Sequence, residues 1–325
     1  MYRAQILESL GVLESVEAAL PACQHVTIDE VRLADVCTGI GADDLRLPTW
    51  EMPVFSRSSP DALAAQILLF NAVNFCYWGF PKWQVQFGGE LWHGSLAMLA
   101  AINRAFSENV PLLDAAQLSQ LTEDEFDHIL RGPGRLHLLP DRLANWRQVG
   151  TVLSDRFNGR FTDLIAAGRG DALLLVETLV DYFPAFDDAW PLYGRRVRFY
   201  KRAQLATAML YEAFEGRQWG ELSRTERLTV FADYKLPQVL RSLGILIYSP
   251  GLAASVDGEA PIRAGDPREV EIRVATVWAG ELMRRALSPR LPNITAMQLD
   301  YWLWNAGQQQ SSLRQPYHRT LTTAY

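Results

Sequence analysis

Charged side chains set beside aromatic ones stand out at three places in this 325-residue chain. In Thr229-Val230-Phe231-Ala232-Asp233-Tyr234-Lys235-Leu236-Pro237-Gln238-Val239-Leu240, Asp233 lies between Phe231 and Tyr234. Pro237 pushes the residue before it away from helical backbone and suits the first position of a new helix. The acid and its aromatics therefore sit at a junction, where Asp233 either caps the helix or lines a pocket. In Leu299-Asp300-Tyr301-Trp302-Leu303-Trp304-Asn305, helical spacing puts Asp300 and Trp304 on one face. A carboxylate and a large ring projecting together suit a flat heterocycle, which stacks on the ring and donates its N–H groups to the acid. The alternative is an amphipathic helix with its tryptophans packed inward. The third place, Phe199-Tyr200-Lys201-Arg202-Ala203-Gln204, joins aromatic rings to cations at a helix start. Together with Arg195, Arg196 and Arg198 these cations suffice for one phosphate; a solvated basic face is the other reading.

The elements that must position these groups are helices. Thr27-Ile28-Asp29-Glu30 and Thr122-Glu123-Asp124-Glu125 have capping-box spacing, and each predicts a helix start. Ser59-Pro60-Asp61 offers a capping hydroxyl, a proline at the first helical position and an acid in the first turn. Apolar periodicity predicts further helices over Leu96–Phe106, Asp141–Phe157, Thr162–Tyr182, Ala203–Phe214, Pro237–Leu243, Glu269–Leu287 and Ile294–Ala306. Strand signals are confined to Val85-Gln86-Phe87 before Gly88-Gly89, and to Val197–Tyr200. Gly132-Pro133-Gly134 and Asp257–Pro267 read as loops. With no repeat and no low-complexity linker, the expectation is an all-α protein, residues 1–325 as a single helical domain of roughly ten helices with at most a small β-ribbon.

Composition removes several classes of function. A net charge of −6 and a pI near 5.5 argue against a polyanionic partner, whose phosphates need clustered Lys and Arg. Cys23, Cys37 and Cys76 are odd in number and far apart, which predicts neither a disulfide framework nor a zinc site and fits a reducing compartment. No uncharged apolar run reaches the ~18 residues of a membrane helix, and charge interrupts the first apolar stretch; a soluble cytoplasmic protein is expected. His25, His93, His128, His137 and His318 show no zinc-ligand spacing, so no metal is expected. Asp35-Val36-Cys37-Thr38-Gly39-Ile40-Gly41 resembles the glycine turn of methyltransferases, but Glu30–Asp35 before it reads as helix where that turn needs a strand.

A resemblance binds these pieces together. Asn74-Phe75-Cys76-Tyr77-Trp78, Gly94-Ser95-Leu96, Ala100–Ala105, Phe199–Gln204, Phe231–Leu240, Leu243-Gly244 with Tyr248-Ser249, Glu269–Arg273, Asp300–Trp304 and Tyr317-His318-Arg319 occur in the order and spacing of the queuosine salvage proteins. The chain thus resembles a family of N-glycosylases that hydrolyse queuosine 5′-phosphate to queuine and ribose 5-phosphate. The resemblance implies a fold similar to the helix-hairpin-helix DNA glycosylases, no cofactor, and contact of Phe231, Asp233, Asp300 and Trp304 with the base. At one position the chain departs from the family pattern, which has an Asp after the Leu-Trp pair and gives it the catalytic role; here Asn305 stands. Either this branch works differently or the amide marks a variant that traps ligand.

Cleaving an N-ribosyl bond builds positive charge on the sugar, which a carboxylate near C1′ stabilises or attacks. Queuine is a 7-deazapurine and cannot be activated by protonation at position 7, so sugar-cation stabilisation and hydrogen bonds to the departing ring carry more of the barrier. The expected catalytic set is Asn305, Asp233 and Asp300, with position 305, as Asp, facing C1′ or orienting water. Phe231, Trp304 and Tyr234 are expected at the base, and Lys201, Arg202, His318 and Arg319 at the 5′-phosphate. A monomer acting on a small molecule, without nucleic-acid polymer or membrane, is the expected setting. The alternatives are a DNA or RNA base glycosylase of the same fold and a non-enzymatic queuine-binding helical protein.

Overall fold

The computed structural model describes residues 7–47, 50–308 and 315–325. Among them run fourteen α-helices: α1 (Val12–Ala19), α2 (Glu30–Thr38), α3 (Pro60–Ala72), α4 (Gly94–Ser107), α5 (Ala115–Ser119), α6 (Glu123–Ile129), α7 (Leu139–Arg156), α8 (Phe161–Ala167), α9 (Ala172–Tyr182), α10 (Lys201–Ala213), α11 (Lys235–Ser242), α12 (Pro250–Asp257), α13 (Pro267–Leu287) and α14 (Ala296–Gln308). Six short strands form three antiparallel pairs: β1 (Val26–Ile28) with β6 (Leu246–Tyr248), β2 (Gln84–Phe87) with β3 (Glu90–His93), and β4 (Ala189–Leu192) with β5 (Arg195–Arg198). The protein is mostly α-helical with small β-ribbons, as the helical punctuation predicts. No described helix is long and apolar enough to cross a membrane.

The chain forms two compact units, each assembled from separated segments. One comprises Met1–Pro48, Asp188–Gln204 and Arg224–Leu321; the other comprises Thr49–Asp187, Leu205–Ser223 and Thr322–Tyr325.

In the first unit α13 is the central element, packing with α1, α2, α11 and α14. Pro267 stands at its start and Asp266 accepts the Arg268 N–H at 2.9 Å, the proline-plus-cap start expected of a helix N-terminus. One of its sides joins Ile272, Ala275, Ala279 and Met283 to a core with Leu240, Leu299 and Leu303. Another joins Val270, Val274 and Val277 to Val16, Val197 and Phe199. A Cβ on Gly280 would lie 2.7 Å from the Val230 side chain, so glycine is what lets the segment leading to Phe231 lie against this helix.

In the second unit α3 is nearly all buried and packs with α4, α7 and α8. Trp146 of α7 donates to the Leu69 carbonyl at 2.9 Å, and Cys76 N to the Tyr325 carbonyl at 2.9 Å. A Cβ on Gly150 would lie 2.6 Å from the Ala115 carbonyl, which explains the close approach of α5 and α7.

Local signals fared well where the partner was local. The Thr122–Glu125 box is present on both sides, at 3.3 Å and 2.8 Å, and Ser59 Oγ accepts the Ala62 N–H at 3.1 Å. Three expectations are corrected. Thr27 caps nothing, because it pairs with Ile247 in β1–β6; Asp29 instead accepts the Arg32 N–H at 2.8 Å to start α2. The stretch read as one helix over Thr162–Tyr182 is two, since Arg169 and Gly170 turn left-handed and Asp171 caps α9 through Leu173 and Leu174 at 2.9 Å and 3.1 Å. α11 begins at Lys235, two residues before Pro237, because Asp233 accepts the first amides of the helix there.

Candidate active site

All ten residues singled out by the sequence lie in the first unit. Their arrangement starts from one hydrogen bond: Asp300 Oδ1 on α14 accepts the Phe231 N–H at 2.7 Å, across 69 residues of sequence. α14 is set in place by Thr295 and Gln298, whose side chains cap each other's amides at 3.3 Å and 3.0 Å, and by Leu299 and Leu303 in the core. Asp300 follows Leu299 on the half-buried edge of that apolar face.

Asp233 is a cap. Its Oδ1 accepts the Lys235 and Leu236 N–H groups at 2.6 Å and 3.0 Å, which is why α11 starts at Lys235 and leaves Pro237 in the first turn, where its missing N–H costs nothing. Capping uses one oxygen. Oδ2 has no hydrogen-bond partner among the described residues, so the side chain keeps an acceptor for a ligand N–H. Phe231 is buried two residues earlier, and Tyr234 sits 5.0 Å from the Tyr317 ring, over which Lys235 Nζ also lies at 5.0 Å. On α14 the Trp304 ring stacks on Tyr301 at 6.2 Å, while Trp302 and Trp304 both pack against the core.

The cations at the start of α10 are inside the protein. Lys201 is 5% exposed and Arg202 1%. Burial pushes the Lys201 ammonium below the ordinary lysine range, against the pull of Asp233 and Asp300, while Arg202 and Arg273 add to the downward push. Both acids thus lie within electrostatic reach of one buried lysine. Arg273 of α13 is fully buried, and its guanidinium pairs with Asp188 at 2.8 Å and 2.5 Å. Burial raises the Asp188 carboxyl, but Arg273 and the Lys201 amide more than reverse this and leave it below the usual carboxylate range.

The remaining expectations divide. Asn305 is exposed, and at about 100° per residue it lies roughly 140° around α14 from Asp300, so the two do not share a face. His318 is 1% exposed, and burial with the Arg273 charge pushes it to about 3, so it is neutral at pH 7 and can offer a phosphate a hydrogen bond but no charge. Arg319 pairs with Glu259 at 2.7 Å. Asp188 is not among the expected residues, and Arg273 is there only within the Glu269–Arg273 segment of the resemblance, without a role. A signal existed: Arg273 sits among Val270, Val274 and Val277, which form an apolar face where a charge needs a buried partner. Among the described residues no group of three or more His, Cys, Asp or Glu is arranged to hold a metal ion.

What this geometry offers is two carboxylates from distant stretches within electrostatic reach of one buried lysine on a helical frame, with Phe231 and Tyr234 flanking Asp233 in the chain. Residues 55–325 match the family model described as Queuosine salvage protein, and the chain belongs to that family. It is 42% identical over 318 residues to the Queuosine 5′-phosphate N-glycosylase/hydrolase of Sphaerobacter thermophilus, covering 98% of each chain. The proteins of the same name from Bos taurus and Mus musculus are 31% and 30% identical, over 87% and 99% of this chain and 88% and 95% of theirs. The resemblance drawn from scattered segments is therefore borne out.

Proposed function

We propose that this chain hydrolyses the N-glycosidic bond of queuosine 5′-phosphate, releasing queuine and ribose 5-phosphate. Water supplies hydroxyl to C1′ and a proton to the departing base as the C1′–N bond breaks. The observation that carries the reading is the 2.7 Å bond from Phe231 N to Asp300, which brings acids from two distant stretches to one place beside buried Lys201. Membership of the salvage family supplies the identity of the base.

In this reading the base stacks against Phe231, Tyr234 and Trp304, and Asp233 Oδ2 and Asp300 accept its N–H groups. Lys201 and Arg202 face the phosphate; His318 contributes a neutral N–H, and Arg319 acts through its Glu259 pair. Position 305, exposed and off the Asp300 face of α14, is left the solvent-side role of orienting water for attack at the sugar, where an Asp would also stabilise developing charge and Asn305 offers only hydrogen bonds. The substrate is a small molecule, the protein a cytoplasmic monomer, and the net charge of −6 disfavours a polymer.

Chromatography of a reaction with queuosine 5′-phosphate tests the proposal. Queuine and ribose 5-phosphate in equal amounts are expected, with slower turnover of unphosphorylated queuosine. Intact substrate after prolonged incubation overturns the hydrolase reading; equal turnover of both substrates removes the phosphate role of Lys201 and Arg202.

A further inference from the structure

The buried Asp188–Arg273 pair also holds the main chain that carries the proposed site. Arg273 Nε donates to the carbonyl of Ala232, the residue between Phe231 and Asp233, at 3.2 Å. Its guanidinium lies 3.9 Å over the Phe199 ring. Asp188 accepts the Lys201 N–H at 3.2 Å and the Trp190 indole N–H at 3.0 Å, and its carbonyl accepts the Phe199 and Tyr200 amides at 2.9 Å and 3.1 Å. The two side chains thus join the segment bearing Phe231 and Asp233 to the helix start bearing the lysine.

We propose that Asp188 and Arg273 are positioning residues of the hydrolase, which set Asp233 and Phe231 against Lys201 without touching the substrate. This inference rests on the hydrolase reading above. Its physical basis is the shape of the guanidinium. The planar fork fixes both Asp188 oxygens, Nε in the same plane fixes Ala232 O, and the Phe199 ring fixes the plane itself. Lysine offers a point charge and none of this geometry. As a stability device the pair is a weak choice, because well-packed apolar side chains of similar volume commonly replace buried ion pairs at little or no cost. Displacing a reacting group by ~1 Å, in contrast, costs on the order of 10²-fold in rate.

The test is the double substitution Asp188→Leu with Arg273→Met, compared with the wild-type chain for thermal midpoint, kcat and KM on queuosine 5′-phosphate. A midpoint near wild type, kcat lower by on the order of 10²-fold and KM within a few-fold are expected, since geometry needed in the transition state is lost while binding persists. A stable double variant with wild-type kcat overturns the proposal. Should the double variant fail to fold, Arg273→Lys decides: reduced kcat at a near-wild-type midpoint supports positioning, and wild-type kcat refutes it. Absence of turnover in the wild-type chain itself defeats the hydrolase reading, a different failure from an unaffected variant.

Discussion

Arg195 and Arg196 on β5 and Lys201 and Arg202 at the start of α10 belong to one basic stretch of eight residues, yet the first two are exposed and the last two buried. Composition treats the four alike. What separates them is the partner across the chain: the strand half pairs with β4 at Leu192 and Pro191, whereas the helix half meets Asp188, Asp233 and Asp300. A run of cations becomes a site only where distant carboxylates make burial affordable, and that requirement is invisible within the run.

The largest effect that sharpens this contrast is expected at Lys201. Replacement of Lys201 by Met should reduce kcat/KM for queuosine 5′-phosphate by on the order of 10²–10³-fold, the usual result of removing one placed charge. The Arg195→Ala and Arg196→Ala variants should stay within about two-fold of wild type, as exposed charges do. Comparable losses in both halves would erase the distinction.

Next comes the pH dependence of stability. The ordinary histidine value is 6.5 and folded His318 lies at about 3, so the unfolded chain binds a proton in that window that the folded chain refuses. Its contribution is complete above pH 6.5 and is lost as pH falls toward 3, with a slope of at most about 1.4 kcal/mol per pH unit. Urea midpoints measured from pH 7 to 4 should fall less steeply in His318→Gln, and an unchanged slope would contradict neutral burial.

A smaller effect separates the two jobs of Asp233. Asp233→Ala should cost about 1 kcal/mol through the lost cap, whereas Asp233→Asn keeps the cap and the thermal midpoint. Both should lose turnover. Retained activity in Asp233→Asn would reduce the residue to a cap. Smallest is Asn305, exposed on α14: Asn305→Ala should lower turnover several-fold and Asn305→Asp should raise it, and identical rates for all three would remove position 305 from the mechanism.

Legibility in the sequence followed the range of the interaction. Ser59, Thr122 and the hairpin turn at Gly88-Gly89 specify structure within four residues, and each was readable. Thr27 misled because the competing partner, Ile247 of β6, is remote, and the break at Gly168–Asp171 was hidden by apolar residues on both sides. The division into two units left no linker to read, because both are woven from separated segments. For the site, residue types were readable and contacts were not: Asp233 and Asp300 were identified as acids beside rings, but the bond from Phe231 N and the role of Arg273 depend on packing around α13.

Asp300 is where the joining of the two acids is most open to test. In steady-state assays of queuine release, Asp300→Asn should retain the wild-type fold by circular dichroism and lose on the order of 10²-fold in kcat/KM, since one carboxylate charge near the reacting base and sugar is gone. Undiminished queuine release from a folded Asp300→Asn variant would contradict the claim that these two distant acids form one catalytic site.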